Sequence, residues 1–334
     1  MSLDPPAAFP HIAVLGAGAW GTALALAALS AGRETTLWVR EEDILADIRA
    51  GAGNRFLPGV AMPTALHVTG DLAEACKADA LLLAVPAQVL KSFTGSLKPL
   101  LVPGRPLVIC AKGIEKDSGK LVTEVVAESL PQAALAILSG PSFARDVAKG
   151  LPTAVTVAAK GALAGDLQAS LRSPSFRPYA SDDLIGVALG GAAKNVYAIA
   201  CGVVEGMGLG ENARAALLAR SFAELSRLGE HLGARRETLM GLSGLGDLVL
   251  TATSPSSRNF SFGMELGRGK KAAELAAPDQ PLAEGAATAP ALVARAKTAG
   301  VELPIAEAMA HLLSGALSLA EAVAGLMSRK VTVE

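Results

Sequence analysis

Aromatic residues are scarce in this 334-residue chain, and neither charge sign is in excess. Phe, Trp and Tyr make up 4% of the residues, and this scarcity favours helices and parallel strands over a β-sandwich. Thirty basic residues are balanced by thirty-one acidic ones, without a basic stripe that would neutralise a nucleic-acid backbone or an anionic lipid surface. We therefore expect neither nucleic acid nor a membrane as a partner.

Cysteine is also rare, with Cys76, Cys110 and Cys201 far apart and without CxxC spacing. We interpret the three as buried apolar residues in a reducing compartment. The four histidines are dispersed in the same way, and we predict no metal site. The chain begins without a basic segment followed by an apolar one, so we expect no signal peptide and a cytoplasmic location.

The length suits two domains, because single hydrophobic cores stop growing near ~250–300 residues. In the first half, short apolar strands alternate with helical segments, and continuous apolar runs such as Ala80–Val85 are typical of a parallel sheet covered on both faces. We predict an α/β fold in which residues 1–182 form a doubly wound parallel sheet. Residues 183–334 show helical patterns instead and are predicted to form an all-helical domain.

A glycine-rich pattern follows the first predicted strand, His11–Leu15. Gly16 permits a tight turn, Gly18 lets the backbone approach a pyrophosphate, and Gly21 lets the next helix lie close to the sheet. The helix N-terminus adds N–H donors for the anion. This order predicts a Rossmann-type domain that binds NAD or NADP, with a purely structural turn as the alternative.

The second strand ends at Arg40 and Glu41, where the type of cofactor is normally selected. An acid at this place binds the ribose 2′-hydroxyl of NAD, and an arginine accommodates the 2′-phosphate of NADP. Because both side chains are present, the preference stays open. Stacking of Arg40 on adenine and an idle salt bridge with Glu41 are further alternatives.

Polar segments follow two more predicted strands. Lys112 comes after Pro106–Cys110, and Ser139–Ala144 follows Ala134–Leu138 with backbone N–H groups and the hydroxyl of Ser142. Ligands of open α/β sheets bind at the carboxyl ends of the strands. We interpret both segments as candidate binding elements, with a solvated lysine and a plain Gly-Pro turn as alternatives.

The segment Leu184–Val204 resembles a membrane span in length, but Lys194 and Asn195 lie at its centre and four glycines interrupt it. We predict a buried helix. Lys194 is the only charged residue between Asp183 and Glu205. Burying an ammonium is unfavourable, and desolvation lowers the pKa of a lysine toward the range of general acid–base catalysis. A catalytic lysine is therefore predicted, with a structural ion pair as the alternative.

A second polar group of residues follows in the helical half. A predicted helix over Thr238–Leu250 contains Asp247, and Thr251 comes directly after it. The segment Ser256–Asn259 then offers hydroxyls, the guanidinium of Arg258 and an amide, a set that suits a phosphate or carboxylate oxyanion. An ordinary polar loop is the alternative.

From His11 to about Met327 these segments resemble the bacterial NAD(P)-dependent glycerol-3-phosphate dehydrogenases. Ten motifs appear in the family's order: GAGAWGTALA, LWVR, NRFLPG, AVPAQ, AKGIEK, LSGPSFA, AAKNVYAIACG, LSGLGDLVLT, SSRNFSFG and AEGAATA. The resemblance implies hydride transfer between NAD(P)H and dihydroxyacetone phosphate. It also implies synthesis of sn-glycerol 3-phosphate for phospholipids, often by a homodimer.

The resemblance further implies roles for single residues. The cofactor would contact Gly16, Gly18, Ala19, Trp20, Gly21, Arg40, Lys112, Ala144, Arg258, Leu282 and Glu284. The substrate would contact Lys112, Gly140, Ser142, Lys194, Asp247, Ser257, Arg258 and Asn259. Lys194 would be the general acid in reduction and the base in oxidation, organised by Asn195, Asp247 and Thr251.

Two other classes of protein share part of this pattern. Another β-hydroxyacid-type dehydrogenase would combine the same two domains with a Lys–Asn pair, and would act on a carboxylate hydroxy acid. A non-catalytic NAD(P) sensor would use the same pocket for redox readout. Because a sensor needs no proton donor, the solitary Lys194 argues against it.

Overall fold

The computed structural model describes residues 8–277 and 283–329. By its internal contacts the chain divides into two units. The first comprises the chain up to Lys112 together with Val122–Ala188, and the second comprises Gly113–Leu121 and the chain from Leu189 onward. A short segment after the fifth strand thus belongs to the second unit. The single boundary after residue 182 stays a prediction.

One eight-stranded sheet forms the first unit. Its strands are β1 (His11–Leu15), β2 (Glu34–Trp38), β3 (His67–Thr69), β4 (Ala80–Leu83), β5 (Pro106–Ile109), β6 (Ala134–Ser139), β7 (Thr153–Ala159) and β8 (Phe176–Ser181). Their order in the sheet is β3-β2-β1-β4-β5-β6-β7-β8. The order reverses between β1 and β4, and in open α/β sheets ligands bind at the carboxyl ends of the strands that flank such a point.

The sheet is mostly parallel, as predicted, and one pair of strands departs from this pattern, because β6 and β7 are antiparallel. The connection between them contains a five-residue helix, Ala144–Ala148. Strands β3 and β8 are not predicted from the sequence. The first has three residues, and the second is an edge strand that contains Pro178, a residue tolerated in such strands.

Helices connect these strands, and β1 and β4 contribute fully buried residues to the core of the unit. Ile12, Ala13, Val14 and Leu15 are fully buried, as are all residues of β4. The helices of this unit are α1 (Ala19–Ser30), α2 (Glu42–Arg49), α3 (Leu72–Ala75), α4 (Leu90–Leu97), α5 (Val122–Ser129), α6 (Ala144–Ala148) and α7 (Leu163–Leu171). The predicted Rossmann-type doubly wound architecture is confirmed.

From residue 184 onward the named elements in the described part of the chain are all helical, as predicted. They are α8 (Leu184–Gly206), α9 (Glu211–His231), α10 (Arg236–Met240), α11 (Asp247–Ala252), α12 (Arg258–Gly267), α13 (Ala272–Leu275), α14 (Glu284–Thr298), α15 (Pro304–Ser314) and α16 (Leu319–Met327). Helix α8 is long and apolar enough to cross a membrane, but 94% of its apolar window is buried inside the protein. The prediction of a buried helix is confirmed.

The single helix predicted over Thr238–Leu250 is wrong, because a π-helical turn over Leu242–Gly246 separates α10 from α11. A Cβ atom on Gly244 would lie 1.9 Å from the carbonyl oxygen of Leu239. The glycine therefore lets the wide turn fold back onto α10. Turns of this kind are frequent at functional sites, and this one ends directly before Asp247.

Helices α8 and α12 touch through their backbones. A Cβ on Gly202 would lie 2.1 Å from the carbonyl oxygen of Phe260, and one on Gly263 would lie 2.1 Å from that of Ile199. Side chains at either place would force the helices apart. The polar segment that follows Pro255 is thus the N-terminus of a helix packed on α8, and not an ordinary loop.

Candidate active site

The glycine-rich turn has the shape that a dinucleotide requires. Gly16 has φ +117°, and a Cβ there would lie 2.9 Å from the carbonyl oxygen of Ala84 after β4. A Cβ on Gly21 would lie 1.9 Å from the carbonyl oxygen of Gly16, whereas one on Gly18 would meet no atom within 4 Å. The first and third glycines thus close the turn against β4 and α1, and the second leaves its backbone open to a ligand.

The N-terminus of α1 supplies donors at this turn. Gly18 is the N-cap and provides no side-chain hydrogen bond, so the first N–H groups of the helix, from Ala19 and Trp20, have no carbonyl one turn earlier. The indole Nε1 of Trp20 is buried and has no hydrogen-bond partner among the described residues. Unused donors at a helix N-terminus fit the phosphates of NAD or NADP.

Arg40 lies beyond the end of β2, and its side chain is 70% exposed. Its Nε and Nη2 atoms donate to Oε1 of Glu41 at 2.9 and 2.5 Å. The side chains form the salt bridge that the sequence left as one alternative. A contact between Arg40 and the cofactor stays a prediction.

Three predicted substrate residues meet at one carbonyl oxygen. Lys112 Nζ donates to the carbonyl oxygen of Gly140 at 3.0 Å, and Ser142 Oγ donates to the same atom at 2.9 Å. Gly140 has φ +147°, and a Cβ there would lie 2.9 Å from Cα of Val155, so the position requires glycine. Ala144 begins α6 just beyond. The carboxyl ends of β5 and β6 therefore present a cation and a hydroxyl side by side.

Lys194 is buried in α8 and points at α11. Its Nζ atom donates to Asp247 Oδ1 at 2.6 Å and to Thr251 Oγ1 at 2.9 Å. The side chains of the lysine and the aspartate are 8% and 1% exposed. Asp247 and Thr251 are one helical turn apart, so they lie on the same face of α11. The ion pair that was the structural alternative exists, and it also orients the ammonium.

An amide chain joins three helices beside this group. Asn259 Nδ2 donates to Asn195 Oδ1 at 2.9 Å, and the backbone N–H of Gly285 donates to Asn259 Oδ1 at 2.9 Å. Ser257 Oγ accepts from the N–H of Phe260 at 3.2 Å, so this hydroxyl caps α12. Arg258, between the two buried residues, is exposed.

One predicted cofactor residue, Glu284, lies at the start of α14. Glu284 is its first residue and is half-buried. Leu282 lies outside the described residues.

Two polar contacts within the units are not predicted from the sequence. The amide of Asn54 is buried against the glycine-rich turn, and only its place in the NRFLPG motif marks it. Glu224 on α9 is 3% exposed and accepts hydrogen bonds from the N–H groups of Ile305 and Ala306 and from the hydroxyl of Tyr197. Burial raises the pKa of its carboxyl to about 7.

The described residues contain no group of three or more His, Cys, Asp or Glu side chains arranged for a metal ion. The three cysteines are free and buried. Burial raises the pKa of the Cys76 thiol to about 11 and that of Cys201 to about 12. Burial also raises the pKa of Cys110. Thiols of this kind are poor nucleophiles, so we assign them no chemical role.

A dinucleotide-type glycine-rich turn in one unit and an all-helical second unit are typical of a nicotinamide-dependent dehydrogenase. Models of the N- and C-terminal parts of NAD-dependent glycerol-3-phosphate dehydrogenase match residues 11–164 and 183–324. A glycerol-3-phosphate dehydrogenase (NAD(P)+) from Parvibaculum lavamentivorans is 54% identical over 96% of this chain and 97% of its own length. The chain belongs to the NAD(P)-dependent glycerol-3-phosphate dehydrogenase family.

Two further relatives support this assignment. The glycerol-3-phosphate dehydrogenase (NAD(P)+) of Rhodospirillum rubrum is 55% identical over 97% of this chain and 94% of that protein. The crystal structure of glycerol-3-phosphate dehydrogenase from Coxiella burnetii has 38% sequence identity and a TM-score of 0.90. It covers 96% of this chain and 99% of the Coxiella chain. The likeness therefore extends over both units.

Proposed function

We propose that this protein interconverts dihydroxyacetone phosphate and sn-glycerol 3-phosphate with NAD(H) or NADP(H). The observation that carries the proposal is Lys194, whose buried ammonium is held by Asp247 and Thr251. A reductase that converts a carbonyl into an alcohol needs a proton for the new hydroxyl, and a positioned ammonium supplies it. Family membership supports this reaction over the other dehydrogenases that share the fold.

The cofactor would be held first by the glycine-rich turn. The N–H groups of Gly18, Ala19 and Trp20 would bind the pyrophosphate, because the turn is open at Gly18 and the helix dipole favours an anion there. We propose further contacts from Gly16, Gly21, Arg40, Lys112, Ala144, Arg258, Leu282 and Glu284. When bound, the reduced nicotinamide supplies the hydride for the C2 carbonyl carbon.

Lys194 Nζ would donate a proton to the carbonyl oxygen during reduction and take it back during oxidation. Asp247 Oδ1 and Thr251 Oγ1 accept two hydrogen bonds from Nζ and so fix its direction. Asn195, the next residue on α8, is held by Asn259 and would organise the same region. An ammonium fixed in this way has less freedom to lose when the substrate binds.

The substrate phosphate would be bound chiefly by Arg258. Its exposed guanidinium presents a planar set of donors that matches phosphate oxygens. Lys112, Gly140, Ser142, Ser257 and Asn259 are proposed as the remaining substrate contacts. Because the phosphate is remote from C2, its binding energy would serve to place the carbonyl.

An absorbance assay at the reduced-nicotinamide band tests this proposal. Purified protein is mixed with dihydroxyacetone phosphate and with NADH or NADPH in parallel reactions. We expect oxidation of at least one cofactor and formation of sn-glycerol 3-phosphate. Turnover of a carboxylate hydroxy acid without turnover of dihydroxyacetone phosphate would establish the rival dehydrogenase. Tight NADH or NADPH binding without any turnover would instead favour the sensor.

The proposal includes a cytoplasmic enzyme that acts as a homodimer and supplies glycerol 3-phosphate for phospholipid synthesis. Three free, buried cysteines support a reducing compartment. Light scattering coupled to size-exclusion chromatography tests the homodimer, since the monomer has a mass of 33.7 kDa. Cell fractionation tests the location, and glycerol dependence of a strain lacking the enzyme tests the physiological role.

A further inference from the structure

Asn54 lies in the segment between α2 and β3 and is 3% exposed. Its Nδ2 atom donates to the carbonyl oxygen of Ala17 at 2.9 Å and to Thr22 Oγ1 at 2.8 Å. Its Oδ1 atom accepts from the N–H of Phe56 at 2.9 Å. The side-chain amide is therefore fully engaged, and it joins a distant segment to the middle of the glycine-rich turn.

The hydrogen bond from Asn54 to the carbonyl oxygen of Ala17 fixes the direction of the N–H of Gly18. The carbonyl of Ala17 and the N–H of Gly18 belong to one peptide group, and in a trans peptide they point in opposite directions. The described residues contain no cis peptide bond. Because Asn54 holds the carbonyl on its own buried side, the N–H of Gly18 points away from Asn54. An added Cβ on Gly18 would meet no atom within 4 Å, so no protein group crowds this residue on its Cβ side.

Without the amide of Asn54 this peptide group is weakly held. The remaining side-chain donor to the carbonyl oxygen of Ala17 is the hydroxyl of Thr22, at 3.3 Å. Gly18 has no Cβ to limit its φ and ψ angles, so the peptide group rotates at low energetic cost. A rotated peptide group would turn a carbonyl oxygen, and not an N–H, toward the open side of the turn.

We propose that Asn54 is a positioning residue for the cofactor pyrophosphate, which it serves by aiming the N–H of Gly18. This inference rests on the dinucleotide-binding part of the proposed function. It gives a role to Asn54 of the NRFLPG motif, for which the sequence alone indicates none. The amide is required because the side chain must donate to the carbonyl oxygen of Ala17 and also accept from the N–H of Phe56.

The test uses Asn54→Asp, a nearly isosteric change. The aspartate keeps an acceptor for the N–H of Phe56 and gains one for the hydroxyl of Thr22, but it loses the donor to Ala17. Arg55→Ala is the matched control, because Arg55 is exposed and pairs with Asp43 on the outer side of the same segment. The readouts are the Kd for NADH from fluorescence, inhibition constants for ADP-ribose and adenosine, kcat, and Tm.

We expect Asn54→Asp to weaken NADH and ADP-ribose by about 10- to 100-fold, the effect of losing one hydrogen bond to a charged group. Adenosine, which lacks the pyrophosphate, should change by no more than about twofold, a difference well below that of one such hydrogen bond. The kcat of Asn54→Asp at saturating NADH should stay close to that of wild type. All measured constants of Arg55→Ala should also stay close to the wild-type values. Asn54→Ala, which adds no charge, should show the same selectivity, and this result excludes repulsion between a new carboxylate and the pyrophosphate as the cause.

Equal weakening of ADP-ribose and adenosine would overturn the inference, since it would indicate a general distortion of the unit. Unchanged binding of both ligands in Asn54→Asp or in Asn54→Ala would also overturn it. Failure of the proposed function is distinguishable from these results. Wild-type protein that binds NADH without reducing dihydroxyacetone phosphate contradicts the reaction and leaves the binding comparison valid.

Discussion

Replacing Lys194 by methionine removes a buried ammonium while keeping a side chain of similar length. Loss of a positioned general acid lowers kcat by about 10²–10⁴-fold. The structure adds a second effect, because the carboxylate of Asp247 is 1% exposed and loses the cation at 2.6 Å. Breaking a buried pair by removing one partner lowers the free energy of unfolding by about 3–5 kcal/mol. The single variant should therefore be both inactive and less stable.

The double variant Lys194→Met/Asp247→Asn separates the two effects. It removes both charges, so that no buried charge is left without its partner, and the main cost of breaking the ion pair is avoided. We expect urea unfolding to show recovery of most of the lost stability, and single-turnover NADH oxidation to show no recovery of activity. Lys91→Met on the exposed side of α4 is the matched control and should leave both quantities unchanged.

Two results would refute the reasoning. A single variant with kcat near that of wild type would show that Lys194 is not the proton donor. A double variant that regains activity together with stability would show that the ammonium matters only as a structural partner of Asp247.

Three further changes test the roles of single residues. Arg40→Ala should weaken NADPH more than NADH, because only NADPH has a 2′-phosphate. Arg258→Leu should lower kcat/KM for dihydroxyacetone phosphate by about 10²–10⁴-fold, through two charge-assisted hydrogen bonds, and should affect dihydroxyacetone far less. Glu224→Gln should flatten the pH dependence of stability. In wild type, the pKa of the Glu224 carboxyl is about 7 in the folded protein and 4.5 is its ordinary value. Between these two pH values the folded protein keeps a proton that the unfolded chain releases. The free energy of unfolding therefore falls by up to ~3 kcal/mol as the pH rises through this range.

Each of these changes has a measurement that decides it. Equal losses for NADPH and NADH would assign Arg40 to adenine stacking. Equal fractional losses on the phosphorylated and unphosphorylated substrates would contradict the phosphate role of Arg258, and Arg258→Lys should rescue only partly because it lacks the planar fork. Urea unfolding at pH 5 and pH 8 tests Glu224, and the same pH dependence in both proteins would contradict its titration.

Local patterns are sufficient to predict most of the fold. The strand before Gly16, the glycine spacing and the following helix predict the dinucleotide-binding unit, because each of these steps depends on neighbouring residues. The direction of a strand within the sheet, by contrast, does not follow from local patterns. The antiparallel pairing of β6 and β7 depends on the path of the connection between them, which the composition of neither strand encodes. Likewise, the π-helical turn follows from contacts between Gly244 and α10, and not from a helical period.

The same distinction applies to the candidate site. Lys112, Gly140 and Ser142 were predicted as separate strand-end features, and the sheet brings them to one carbonyl oxygen. The hydrogen bond from Asn54 to Ala17 joins residues far apart in sequence. No periodicity links such residues, so the sequence marks Asn54 only as part of a motif.

Glycines that touch no ligand also fix the geometry of the proposed proton donor. A Cβ on Gly190 would lie 2.6 Å from the carbonyl oxygen of Ser243, so α8 meets the π-helical turn through its backbone. Lys194 is one helical turn beyond Gly190 and lies on the same face of α8. Asp247 begins α11 directly after the π-helical turn. The backbone contact at Gly190 therefore sets the separation of Lys194 and Asp247, and a side chain there would widen the 2.6 Å pair.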